Sequence, residues 1–265
     1  MIQPKKLTTK MTIEQIVTYF NEEIKEIENY LCITRSSTTQ INQCRKLDAL
    51  QYNAALIKKE AIRRASENVA NLLLGFECVI GAIRSELLMW VLIKKDMPNQ
   101  AWDRLIAAQM GYLDASRSDK GFAHCLKRLR ELEQIESQIF PPQVFVSAGF
   151  VSKKIDCSIC GERYSKCEHL QGMPYMGLFC EVIHRDPVGD HVAIVKIPAD
   201  KRCRIVSVKT KDGNRDKLSW EVTPYKEGEK FEENEPLEAE MIFMSMDRYP
   251  YYDSTDKVIG TMPNI

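Results

Sequence analysis

QIFPPQVFVSAGFV, residues 138–151, is where the chain changes its grammar. Paired prolines at 141 and 142 remove two backbone donors and end any helix that reaches them. After Gln143, the eight residues VFVSAGFV are β-branched, aromatic or small, the composition of a strand. Before this point apolar residues recur at helical spacing, and after it they come in short runs between turn residues. The pattern predicts an α+β protein: an α-helical bundle over residues 1–140, then a small, mostly antiparallel β domain over 141–265.

Upstream, Thr12 and Gln15 have capping-box spacing, and Ile13, Ile16, Val17, Phe20, Ile24, Ile27 and Leu31 share one face of a helix over 12–32. A Ser/Thr cluster at 36–39 interrupts, and the pattern resumes from Ile41 to about Ala70 through Leu47, Leu50, Ala54, Ala55 and Ile62. Further helices are expected at 71–95, 98–114 and 119–138. Leu72 to Ile93 is nearly continuously apolar, which places that helix at the centre, with Trp90 and Trp102 anchoring its neighbours. The long amphipathic segments also predict homo-oligomerisation through the helical half.

Downstream, VFVSAGFV, LFCEVIH, HVAIVKI, CRIVSV, LSWEVTPY and AEMIFMSM read as strands, separated by the turns DPVGD, PADK and KDGN. The acidic stretch 227–240 reads as a solvated loop.

The chain has 265 residues, enough for two domains of ordinary size, and 37 basic residues balance 37 acidic ones. No global field drives it toward nucleic acid or an acidic membrane. Val69 to Ile93 is interrupted by Asn71, Glu77, Arg84, Ser85 and Glu86, so it reads as a core helix and not as a membrane span. MIQPKKLTTK lacks the apolar core of a leader, and nine cysteines are an odd count; both point to the reducing cytoplasm. Neither a phosphate-binding glycine loop nor H-E-x-x-H occurs.

Chemistry concentrates in DCSICGERYSKCEHL, residues 156–170. Cys157 and Cys160 form a C-x2-C knuckle, Gly161 lets the backbone fold back toward the thiolates, and Cys167 and His169 add a C-x-H pair. Four soft or borderline donors suit a tetrahedral, structural Zn²⁺. Cys180, on a following strand, is an alternative fourth ligand. A redox dithiol would need the motif at a helix N-terminus, whereas here it lies between strands. The C-x-H ending resembles that of SWIM-type zinc fingers.

VSAGFVSKKIDCSICGERYSKCEHLQGMPYMGLFCEVI and the later HVAIVKIPADKRCRI resemble the second half of prohead-protease-like proteins of tailed phages, in a subset that carries a zinc insertion. The resemblance covers about residues 144–206. It implies a nucleophile at Ser147, which would need a histidine base within reach. His124 is the sole histidine upstream, in a region that reads as helical, and the family's later E-V-S strand has His191 and Ala193 in place of Glu and Ser. His184 and His191 lie on strands after the cysteine loop.

The leading expectation is a non-enzymatic zinc-binding interaction or scaffold protein of phage, mobile-element or phage-defence context, recognising a protein partner through its β domain. One alternative is a serine peptidase using Ser147. Another is a nucleic-acid-binding zinc protein, with Lys153, Lys154, Arg163 and Lys166 beside the loop and Lys58, Lys59, Arg63 and Arg64 on a helix.

Overall fold

The computed structural model describes residues 12–232 and 238–243. The fold is α+β, with helices first and short antiparallel sheets after them. Residues 1–11, the 233–237 part of the acidic stretch and the 244–246 end of the last expected strand lie outside the described residues.

The helices are α1 (Ile13–Glu28), α2 (Ser37–Arg63), α3 (Glu67–Lys94), α4 (Pro98–Ser118) and α5 (Cys125–Ile139). Thr12 Oγ1 accepts from the Gln15 amide at 3.3 Å and Gln15 Oε1 from the Thr12 amide at 2.9 Å, closing the capping box. Helix α1 buries Phe20, Ile24 and Ile27, and Phe20 stacks on Phe76 with ring centroids 4.8 Å apart. Helix α2 starts earlier than the apolar pattern indicates. Ser36 accepts from the Thr39 amide at 3.1 Å, so the cluster read as an interruption supplies the N-cap.

Helix α3 is buried continuously from Leu73 to Leu92. Helix α4 lies against it at close range: a Cβ at Gly111 would sit 2.9 Å from Ala82 Cβ and 3.0 Å from the Cys78 carbonyl oxygen. The charges that break the α3 pattern are matched. Lys58 Nζ lies 3.1 Å from the Glu77 carboxylate, Arg84 Nε lies 2.5 Å from Asp48, and Glu86 accepts from Arg128 and, at 3.3 Å, from Tyr112. A buried charge without such a partner would be strongly destabilising.

In the C-terminal half, β1 (Phe145–Val151) pairs with β6 (Val188–Val195), β2 (Lys154–Cys157) with β5 (Val182–Arg185), and β3 (Pro174–Tyr175) with β4 (Leu178–Phe179). The remaining sheet has the order β10 (Ala239–Met241), β7 (Ile205–Thr210), β8 (Gly213–Asp216), β9 (Val222–Thr223). All pairs are antiparallel. The expected turns are shorter than their sequences. Lys211 and Asp212 suffice to join β7 to β8, so the rest of KDGN enters a strand, and DPVGD contributes Val188 onward to β6. LFCEVIH breaks at Cys180 and Glu181, and LSWEVTPY contributes only Val222 and Thr223.

Trp102 on α4 reaches the C-terminal half. Its Nε1 donates to the Lys201 carbonyl at 3.1 Å, and its ring meets Phe140 edge-on and stacks over Phe145. The buried Arg204 guanidinium lies 5.9 Å from the same ring and donates to Asn99, whose Nδ2 donates to Asp216 at 2.8 Å. A second contact comes from the β3–β4 hairpin. The Gly177 amide donates to Asn71 Oδ1 at 2.7 Å and the Met176 amide to Glu67 Oε1 at 3.2 Å, both in the first turns of α3. No helix among the described residues is long and apolar enough to cross a membrane.

Candidate metal centre

Strand β2 delivers Cys157 to the start of a tight knuckle. The Gly161 amide donates to the Cys157 carbonyl at 3.0 Å, and the Cys157 amide to the Glu162 carbonyl at 2.9 Å. Gly161 has φ +74°, a left-handed conformation that a side chain would strain. The Ile159 amide points at Cys157 Sγ from 3.4 Å. A 3-10 turn, Tyr164–Lys166, then brings up Cys167, and the extended chain after it brings His169.

One donor atom each from Cys157, Cys160, Cys167 and His169 lies within 4.8 Å of the other three. This cluster could hold a metal ion. Two observations fit one. His169 Nδ1 is buried without a hydrogen-bond partner, a costly state for a polar atom that has no ion to bind. The donor set, three thiols and an imidazole, matches soft or borderline tetrahedral ions and not calcium or magnesium.

Cys180 is buried, and its Sγ lies 3.7 Å from Cys157 Sγ, but the four mutually close donors do not include it. Burial alone would raise the Cys157 thiol. The Cys160 and Ile159 amides and the Cys180 thiol outweigh that effect and bring it down to about 6. Burial and the neighbouring Cys157 push Cys180 up to about 11. Cys180 thus lies beside Cys157 at thiol–thiol contact distance, outside the group of four mutually close donors.

The His169 ring meets Tyr175 on β3 edge-on, and Tyr175 Oη accepts from the Leu170 amide at 2.9 Å. Tyr164 Oη accepts from the Gln171 amide at the same distance. Asp156 is buried between Lys154 at 3.1 Å and Arg185 at 2.9 Å, which ties β2 to β5 beside the cluster. Sequence reasoning missed these supports. Tyr175 lies six residues beyond His169 with no spacing signature, and only the charge alternation of Lys154 and Asp156 hinted at the ion pairs.

Ser147 lies on β1 opposite Ala193. Among the described residues it makes no hydrogen bond to a histidine. His124 contacts the Gly121 carbonyl, His184 Nδ1 lies 3.0 Å from Ser152 Oγ, and the His191 ring covers Gly149 with Nδ1 3.0 Å from Asp190. Of the helical basic residues, Lys58 is buried against Glu77, while Arg63 and Arg64 share Glu60. Beside the loop, Lys154 is held by Asp156.

Protein-family models, curated proteins and solved structures offer no match to this chain.

Proposed function

We propose that Cys157, Cys160, Cys167 and His169 bind one structural Zn²⁺, and that the chain is a non-enzymatic interaction or scaffold protein that recognises a protein partner through its zinc-stapled β domain. The supporting observation is the mutual approach of the four donors to within 4.8 Å. Four protein ligands complete a tetrahedral ion and leave no position for water or substrate, the property that separates structural from catalytic zinc. The residues of the loop would position and enclose the ion. In return, the ion would order a segment with little apolar burial of its own, a contribution on the order of 10 kcal/mol for small structural zinc sites. Thiolate ligation also suits a reducing, cytoplasmic setting. The resemblance over residues 144–206 supports a phage, mobile-element or phage-defence context.

Metal analysis of the purified chain tests the zinc reading: one equivalent is expected, falling to none in Cys157→Ser. Its absence from the wild type would overturn the reading. A fluorophosphonate probe tests the non-enzymatic one, since labelling that disappears in Ser147→Ala would establish the peptidase instead.

A further inference from the structure

The β3–β4 hairpin is too short to hold its shape alone. Each strand has two residues, and even a hairpin of ordinary length is marginal by itself in water. Both turn residues are left-handed, Met176 at φ +47° and Gly177 at φ +77°, a conformation that strains Met176. A turn of this kind persists when its surroundings fix it from outside. Two separate sets of contacts do so. On one side lies the cysteine loop: the His169 ring meets Tyr175 edge-on, and the Leu170 amide donates to Tyr175 Oη. At the foot of the hairpin, the Gly172 amide donates to the Cys180 carbonyl at 2.8 Å and the Cys180 amide to the Met173 carbonyl at 2.9 Å. On the other side lie the helices. A Cβ on Gly177 would sit 3.0 Å from Lys58 Cδ and 3.3 Å from Ala70 Cβ, and the two turn amides donate to Asn71 and Glu67 of α3.

We propose, resting on the reading that Cys157, Cys160, Cys167 and His169 bind zinc, that Asn71 is a positioning residue for that site and that metal binding is coupled to seating of the hairpin on the helices. Asn71 holds the hairpin tip through the Gly177 amide, the seated hairpin fixes Tyr175, and Tyr175 fixes the His169 ring. Four donors complete a tetrahedral ion, so Asn71 acts only through the hairpin. Glu67 assists through the Met176 amide. The effect is reciprocal by thermodynamic linkage: if a seated hairpin favours the ion, the ion favours a seated hairpin. Loss of the ion therefore frees the tip and uncovers the Lys58 stem and Ala70 on the helical half. Metal occupancy is in this way read out on a surface built by α2 and α3.

Zinc affinity of the full-length chain, measured by competition with a chromophoric chelator, tests the coupling. Asn71→Ala weakens binding about tenfold, a typical size for coupled sites. Asn71→Asp, which keeps an oxygen for the Gly177 amide, restores most of the affinity. Asn99→Ala removes a hydrogen-bonded contact between the halves away from the hairpin, to Arg204 and Asp216, and leaves affinity at the wild-type value. Hydrogen exchange reads the reciprocal effect in the wild type. The Met176 and Gly177 amides exchange about tenfold faster once a chelator strips the zinc, while the amides of α4 keep their protection. Equal affinity in wild type and Asn71→Ala, or hairpin exchange indifferent to zinc, overturns the coupling and spares the metal reading. An equal loss in Asn99→Ala assigns the effect to general loosening and also overturns the coupling. A wild type that binds no zinc overturns both. Should Asn71→Ala fail to fold, exchange in the wild type decides alone.

Discussion

The imidazole of His169 meets the Tyr175 ring edge-on, centroids 4.6 Å apart and planes at 89°, and so connects the cysteine cluster to the hairpin that touches the helices. Tyr175 is therefore expected to orient a ligand it never coordinates. Tyr175→Ala should weaken the proposed zinc binding roughly 10- to 100-fold, the range seen when outer-shell partners are lost. Tyr175→Phe, which keeps the ring and gives up the Leu170 bond, should retain most of the affinity. Competition titration with a chromophoric chelator distinguishes the two.

Gly177 has φ +77°, and a Cβ there would lie 3.0 Å from Lys58 Cδ. Gly177→Ala should cost about 1–2 kcal/mol from backbone strain. Asn71→Ala strands the buried Gly177 amide and should cost about 1–3 kcal/mol. Denaturant melts followed by limited proteolysis check both, and the hairpin should become the first site of cleavage.

Lys58 and Glu77 form a buried pair, with side chains 6% and 0% exposed. Removing one partner, as in Glu77→Ala, should cost about 3–5 kcal/mol because the other charge is left in the core. The double replacement Lys58→Met with Glu77→Leu should recover most of that loss. Paired thermal melts of single and double variants measure the difference.

Asp216 accepts from Asn99 and from the Leu218 and Ser219 amides. Burial raises its carboxyl, but these bonds outweigh burial and hold it below the usual carboxylate range. A carboxyl depressed on folding contributes stability that is fully present above its unfolded value and is lost as pH falls through its folded value. Asp216→Asn should therefore be less stable than wild type at neutral pH, with the gap closing as pH drops below the ordinary carboxylate range. Melting temperatures across acid pH provide the test.

The division into helices and strands was legible because Pro141 and Pro142 coincide with a change of period, and both signals are local. The gathering of Cys157, Cys160, Cys167 and His169 was legible for the same reason, since C-x2-C and C-x-H are short-range patterns. The start of α2 was misread because Ser36 serves equally as a cap or as an interruption until the hydrogen bond of its side chain is known. Strand β3 and its contacts were illegible: PYMG has no alternation, and Asn71 stands 106 residues from Gly177. Such pairings follow from tertiary packing and not from any window of sequence.

That separation also sets an order of events during synthesis. At about 5–20 residues per second, a ribosome needs roughly 5–20 s to add the stretch between Asn71 and Gly177, so the seat on α2 and α3 is built well before the hairpin that will cover it. Throughout that interval Lys58, whose stem lies against Gly177 in the finished fold, lacks that cover. An apolar residue in its place would leave a sticky spot on the nascent chain, whereas a charged head stays hydrated while it waits.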